Sequence, residues 1–267
     1  GRAGEAARLQ ALHDEFAADL GASVRAAMAR HGIDYVPGCA DLGDFDATST
    51  TIALGPTNAA AVLPREAIER TFERYWDHFQ RRRAGEPWEA FTPYELRNVG
   101  AFVRLGWRER AHELLDWFYG WQRPEGWLQW AEVCWRDERR PRFLGDLPHT
   151  WVGSDFIRSA LDMLLYVRDA DQAVVIGAGV LPQWLQPGSE VRVDLPTPWG
   201  AVAYRMWKEA DRFLVRVEAG MPPGGLVLQP PLPGPPRAVT CDGAPLSLSA
   251  AGEIVVRTSP AEVVITP

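Results

Sequence analysis

Lysine is nearly absent from this chain. Lys208 stands alone against 27 arginines, and the acidic residues outnumber the basic ones to leave a net charge of −7. Apart from Arg81-Arg82-Arg83 and the scattered arginines of 136–142 there is no basic stripe. A nucleic-acid partner is not expected, because neutralising phosphates takes clustered positive charge. The lysine scarcity itself reads as codon bias and carries no function. Cysteine is also scarce: Cys39, Cys134 and Cys241 lie far apart, in no CxxC or Cys/His spacing. That excludes a disulfide framework and a zinc motif and leaves the redox compartment open. No apolar run approaches the roughly 20 residues that span a bilayer, and the opening GRAGEAARLQALHDEF lacks the apolar stretch of a signal peptide. The expectation is a soluble chain with no membrane partner, extracellular or periplasmic if an export signal lies upstream and cytoplasmic otherwise. Also missing are GxSxG, a phosphate loop, GxGxxG after a strand, and HExxH. Neither a cofactor nor a metal is expected.

What the chain has in excess is tryptophan: 12 in 267 residues, nine of them between Trp76 and Trp151. Apolar residues make up 46% and charged residues 24%, close to soluble globular averages, so a real core can form and disorder is excluded.

Two regimes meet near residue 170. Before it the apolar spacing is helical. Leu9, Leu12, Phe16, Leu20 and Val24 predict one buried helix face, and Ile68, Phe72, Tyr75, Trp76 and Phe79 a second, with Pro64 in its first turn. Thr92-Pro93-Tyr94-Glu95 has the form of a capping box and opens a third helix on Leu96, Val99, Phe102 and Val103, which Gly106 ends. A fourth runs from about Arg108 to Trp121 on Ala111, Leu114, Leu115 and Phe118, close enough to the third to form a hairpin. A last helix, about Ser154 to Tyr166, uses Ile157, Leu161, Leu164 and Leu165. Beyond 170 the pattern changes to short alternating runs separated by most of the chain's prolines: Val191–Leu195, Ala201–Trp207, Phe213–Val217, Gly225–Leu228, Ala238–Thr240, Glu253–Val256 and Glu262–Ile265. Their spacing predicts an antiparallel β-sandwich. The expected fold is mainly α followed by β, with a helical domain at 1–170 and a sandwich at 171–267.

Three aperiodic stretches combine carboxylates, aromatics and glycine, and long loops on a helical scaffold are where a site is usually kept. Residues 37–56 hold Asp41, Asp44 and Asp46. Residues 121–135 hold Glu132 among Trp121, Trp127, Trp130 and Trp135. Residues 141–155 hold Asp146, His149 and Asp155. Sugar rings present C–H faces that stack on tryptophan, while a carboxyl group set in an apolar wall can act as a general acid or base. Glycosidic cleavage needs two such groups on opposite sides of the bond. Structural readings stand beside the functional ones. Glu95 sits where a capping box uses it on the Thr92 amide. Asp44 and Asp46 precede Thr48-Ser49-Thr50 as turn or cap residues would. His149 follows Pro148 and can serve as a loop hydrogen-bonder.

With these loops in view the chain resembles the six-hairpin (α/α)6-toroid glycoside hydrolases, the group of trehalases, inverting α-glucosidases and α-L-rhamnosidases. Glu132 followed by Thr150-Trp151-Val152-Gly153-Ser154 is similar to the loop that carries their general base. Gly43-Asp44-Phe45-Asp46-Ala47-Thr48-Ser49, with Asn58 further on, is similar to their acid loop but out of step by one residue, so both aspartates are candidates. Thr197-Pro198-Trp199-Gly200 looks like the β-domain that closes α-L-rhamnosidases. A whole toroid has twelve helices and places acid and base further apart than the 86 positions between Asp46 and Glu132. The resemblance therefore implies the C-terminal half of a toroid plus its β-sandwich, with an N-terminal half or a partner chain completing it.

The resemblance implies an inverting glycosidase acting on a carbohydrate substrate. Glu132 would be general base and Asp46 general acid; Trp127, Trp130 and Trp151 would stack on sugar, with Asp44, Tyr94, Glu95, Arg97, Asp146 and His149 around the hydroxyls. One alternative is a non-catalytic carbohydrate-binding or scaffold protein. Another is a polysaccharide lyase or phosphorylase on the same scaffold, for which Tyr94, Arg97 and His149 supply a base and a cationic pocket.

Overall fold

A computed structural model describes residues 2–232 and 234–267. Helices come first: α1 (Arg2–His31), α2 (Ala47–Leu54), α3 (Arg65–Arg83), α4 (Arg97–Arg104), α5 (Arg108–Tyr119) and α6 (Thr150–Leu164). Two short strands, β1 (Ala90–Phe91) and β2 (Cys134–Trp135), pair antiparallel within the helical region. From Leu165 onward the regular structure is mainly strand: β3 (Leu165–Arg168), β4 (Ala173–Ile176), β5 (Glu190–Thr197), β6 (Gly200–Glu209), β7 (Arg212–Ala219), β8 (Leu226–Leu228), β9 (Ala238–Cys241), β10 (Ala244–Pro245), β11 (Ile254–Val256) and β12 (Ala261–Thr266). The chain is thus helical, then β, as expected. It separates into two compact units that interleave in sequence, Gly1–Ala101 with Gln122–Val152, and Phe102–Trp121 with Gly153–Pro267.

In the first unit α3 buries Ile68, Phe72, Tyr75 and Phe79 on the face its spacing predicts, with Trp76 half-buried and Pro64 at the cap position. The expected burial of the α1 stripe is not observed. Leu9, Leu12, Phe16 and Leu20 are exposed, Phe16 to 68%, and only Gly21, Val24 and Ala27 of this helix are buried. Packing begins at Gly21, where the 3₁₀ turn Ala60–Val62 comes so close that a Cβ would stand 2.8 Å from the Val62 carbonyl oxygen. Periodicity reports that a helix has an apolar face; it does not say that this chain covers it.

In the second unit, β10-β9-β12-β7-β6-β5 form a six-stranded antiparallel sheet and β11-β8-β4-β3 a four-stranded one. Both contribute to one core, including Ile176, Val202, Met206, Val215, Leu226, Ile254, Val263 and Ile265. The expected strands are all present, but the arrangement is not wholly antiparallel. β4 runs parallel to β8, with Val174 opposite Leu226, because the chain crosses through β5–β7 of the other sheet before returning. The last helix also differs from expectation. It starts at Thr150 and ends at Leu164, because Leu165 and Tyr166 pair with Ile176 and Val175 in β3–β4. Ile157 and Leu161 are exposed, and the buried face carries Val152, Asp155, Ser159, Asp162 and Met163. Buried carboxylates persist only where they are paired. The Arg104 guanidinium donates to both Asp162 oxygens at 2.7 and 3.2 Å, and Arg158 donates to Asp155 at 2.9 Å. Burial nevertheless raises the pKa of Asp162, against the opposing pull of Arg104.

Candidate functional site

The first acidic loop closes on itself. Pro37 and Phe45 bridge, Gly38 N–H donates to the Asp44 carbonyl at 2.9 Å, and the Tyr35 hydroxyl donates to the Gly43 carbonyl at 3.0 Å. Asp44 Oδ1 accepts from the Cys39 amide at 2.8 Å. Asp46 caps α2: Oδ1 accepts from the Ser49 amide at 2.9 Å and Oδ2 from the Ser49 hydroxyl at 2.5 Å. Both expected acid candidates are therefore engaged by their own loop, and Asp46 has both oxygens committed to one cap.

The second and third loops are joined to each other. Glu132 N–H donates to the Asp146 carbonyl, Val133 N–H to the Leu144 carbonyl and His149 N–H to the Trp130 carbonyl, at 3.1, 3.1 and 3.4 Å. The Thr92 hydroxyl, from the turn before α4, donates to the Glu132 carbonyl at 2.9 Å. On this frame Asp146 N–H donates to Glu132 Oε2 at 3.2 Å. Gly145 makes the approach possible, since its φ is +65° and a Cβ there would stand 2.2 Å from Glu132 Oε2. Glu132, Asp146 and His149 converge so that one ligand atom from each lies within 4.8 Å of the others. Glu132 is half-buried, Asp146 is exposed, and the His149 side chain is 9% exposed. The two carboxylates stand closer than the roughly 6.5–9.5 Å of an inverting acid–base pair. Asp46 is not part of this cluster.

An aromatic wall extends from it. The Tyr94 hydroxyl and His149 Nε2 are hydrogen-bonded at 2.6 Å. Tyr94 meets Trp151 edge to face at 5.8 Å between centroids, and the Arg97 guanidinium lies 4.7 Å from the Tyr94 ring centre and 5.8 Å from that of Trp151. Trp151 is 61% exposed and Trp127 is also open to solvent, so both can offer a ring to a ligand. Trp130 cannot. It is 3% exposed within the core, so its ring is closed to a ligand, which corrects its expected role as a sugar platform.

Glu95 has neither expected role. Thr92 Oγ1 accepts from the Tyr94 amide at 3.4 Å, but the Glu95 carboxylate turns inward to Arg82, receiving Nη1 at 3.1 Å and Nη2 at 2.5 Å, and takes the Tyr75 hydroxyl at 2.8 Å. Arg82 is 3% exposed. Burial, then the Glu95 charge, holds the Tyr75 pKa well above its usual value. Sequence reasoning overlooked Arg82 and Thr92 as supports of this region. Arg82 on the apolar face of α3 was the available signal for the first, and nothing in the spacing announced the second.

No family model, curated protein or solved structure matches this chain. The site is therefore interpreted from its own chemistry.

Proposed function

We propose that this chain is carbohydrate-active and hydrolyses a glycosidic bond, with the glycoside held on the Tyr94–Arg97–Trp151 wall and Glu132 as the group that activates water. One observation carries this reading. Tyr94 links the exposed Trp151 ring to His149, whose ring nitrogen faces the same small cluster as Glu132. An apolar face for sugar C–H groups next to a half-buried carboxylate and polar groups for hydroxyls is the equipment this chemistry requires. Asp46 receives less support as the acid, because its oxygens are taken by Ser49. Glu132 and Asp146 stand closer than an inverting pair requires, so Asp146 is not offered as the second carboxylate.

The architectural part of the proposal is that the helical region belongs to an α/α toroid completed by further helices. The exposed apolar residues of α1, and separately Ile157 and Leu161 on α6, support it as faces that such helices would cover.

The experiment is turnover on a panel of aryl glycosides together with sugar binding followed by tryptophan fluorescence. Glu132→Gln is expected to lose at least about 10²-fold in kcat while sugar binding is retained, the effect of removing a general base. A second reading, a non-catalytic binding protein, is supported by the engagement of Asp46, the acid candidate, in a helix cap. It would show no turnover and would keep saturable binding in the Asp46→Asn, Glu132→Gln double variant. Release of an ultraviolet-absorbing unsaturated sugar would identify a lyase instead.

A further inference from the structure

We infer that Glu132, Asp146 and His149 form a binding site for one divalent first-row transition cation, of the zinc or manganese kind. The inference rests on the geometry of the cluster and not on glycoside hydrolysis.

Three kinds of observation support it. The donors come from two loops, not from one acidic run, and loop-to-loop backbone hydrogen bonds flank them on both sides, so the site is built before any ligand arrives. The His149 side chain is nine-tenths buried, and its two nitrogens have different surroundings. Nε2 is bonded to the Tyr94 hydroxyl at 2.6 Å, while Nδ1 lies 3.6 Å from Asp146 Oδ2, beyond hydrogen-bond length. In the tautomer with Nε2–H donating to Tyr94, Nδ1 presents a lone pair toward Asp146. In that tautomer the imidazole lone pair and the two carboxylates are three acceptors in one small cluster, an arrangement that a cation resolves. A buried partner on the far ring nitrogen is also what fixes the tautomer of a metal-binding histidine. Finally, Gly145 admits the Glu132 carboxylate to a place that any side chain would block.

The donor set selects the ion. Calcium and magnesium take oxygen ligands, with magnesium holding most of its water, whereas an imidazole nitrogen with two carboxylates suits zinc, manganese and their neighbours. Three protein ligands leave coordination positions for water or a substrate hydroxyl on the exposed side of Asp146. Tyr94 is a positioning residue in this site, acting through His149. The cluster's spacing matches no metal motif: residues 132 and 146 meet only when the two loops pair.

The test titrates the EDTA-treated full chain with ZnCl2 alone and MnCl2 alone by calorimetry, with CaCl2 and MgCl2 as comparisons. One equivalent of zinc is expected to bind. Affinity should fall at least about tenfold in Glu132→Gln and in His149→Ala, and by about 10- to 100-fold in Tyr94→Phe, the range for losing a partner of a metal-bound histidine. Zinc K-edge absorption of the unsubstituted protein should show only nitrogen and oxygen neighbours at about 2.0–2.2 Å. The spectrum is taken without any substitution, so a variant that fails to fold leaves it standing. The inference is overturned by no saturable binding, by binding unchanged in folded Glu132→Gln, by sulfur neighbours in the spectrum, or by calcium binding more tightly than zinc. Turnover is not a readout here, so failure of cation binding and failure of the hydrolase reading are seen separately.

Discussion

The loop at 37–56 and the paired loops at 121–135 and 141–155 have similar chemistry and use it differently. In the first, Asp44 and Asp46 accept hydrogen bonds from residues five and three positions away, and the carboxylates hold the loop's own backbone in shape. In the second, Glu132 is met by the amide of Asp146, 14 positions on, and His149 by Tyr94, 55 positions back. Short-range pairing is how aspartate stabilises turns and helix starts. Convergence over long separations has no such local explanation and is the pattern of a site assembled by the fold. Acidic loops of like composition are therefore told apart by the range of their hydrogen bonds.

The largest test of this contrast removes the support beneath the paired loops. Glu95 and Thr92 lie on one short segment. Thr92 holds the Glu132 carbonyl, and Glu95 anchors the segment to buried Arg82. Glu95→Ala removes the carboxylate that Arg82 meets at 3% exposure, which is expected to cost about 3–5 kcal/mol. Urea unfolding followed by tryptophan fluorescence measures it. The exposed Arg142–Glu89 pair supplies the control, since Arg142→Ala should cost less than about 1 kcal/mol. A loss in Glu95→Ala no larger than in the control would show that the paired loops do not depend on that anchor.

A middle-sized effect separates the aspartate cap from the glutamate directly. Asp46→Ala removes the acceptor for the Ser49 amide and is expected to lower stability by about 1 kcal/mol, with Asp46→Asn recovering most of it. Glu132→Gln keeps an oxygen that can accept from the Asp146 amide and should change stability by less than about 0.5 kcal/mol while losing one of the cluster's two carboxylates. If the glutamate proved the more costly of the two, the division between structural and site carboxylates would be reversed.

The helix-then-strand order was legible because periods of 3.6 and 2 are written in single residues, and Phe72, Phe102 and Val215 are buried where their spacing puts them. What covers a face was not legible. Phe16 and Ile157 carry the same signal as Phe72 and stand in solvent. Asp162 is buried on the opposite face of α6 because Arg104, 58 positions away, meets it there. Of the site, Glu132, Asp146, His149 and Trp151 were readable as chemistry-bearing residues in aperiodic loops, and Tyr94 and Arg97 as polar residues at the start of the third helix. Their grouping was not, since the register between the loops is set by backbone hydrogen bonds that any residues can make. Trp127 and Trp130 show the same limit within four residues: composition is alike, yet one is open and the other is core.

The smallest perturbation costs no stability and compares the two loop regions through their cysteines. Cys39 lies exposed in the first loop, between Gly38 and the Asp44 turn, while Cys134 is buried in β2, opposite Phe91. Burial pushes the Cys134 thiol up to about 11, outweighing the opposing pull of Arg123. At pH 8 a thiol with that pKa is thiolate in only about one molecule in a thousand, and the thiolate is the species that alkylates. Iodoacetamide at pH 8 should therefore modify Cys39 first and leave Cys134 protected, as peptide mass spectrometry of timed samples will show. Raising the pH toward 10 should increase the Cys134 thiolate about a hundredfold, with labelling still limited by access to the strand pair. Rapid labelling of Cys134 at pH 8 would mean that the β1–β2 pair opens readily. The paired loops would then be no more rigid than the self-closed one, and the contrast between a fixed site and a local turn would fail at its structural base.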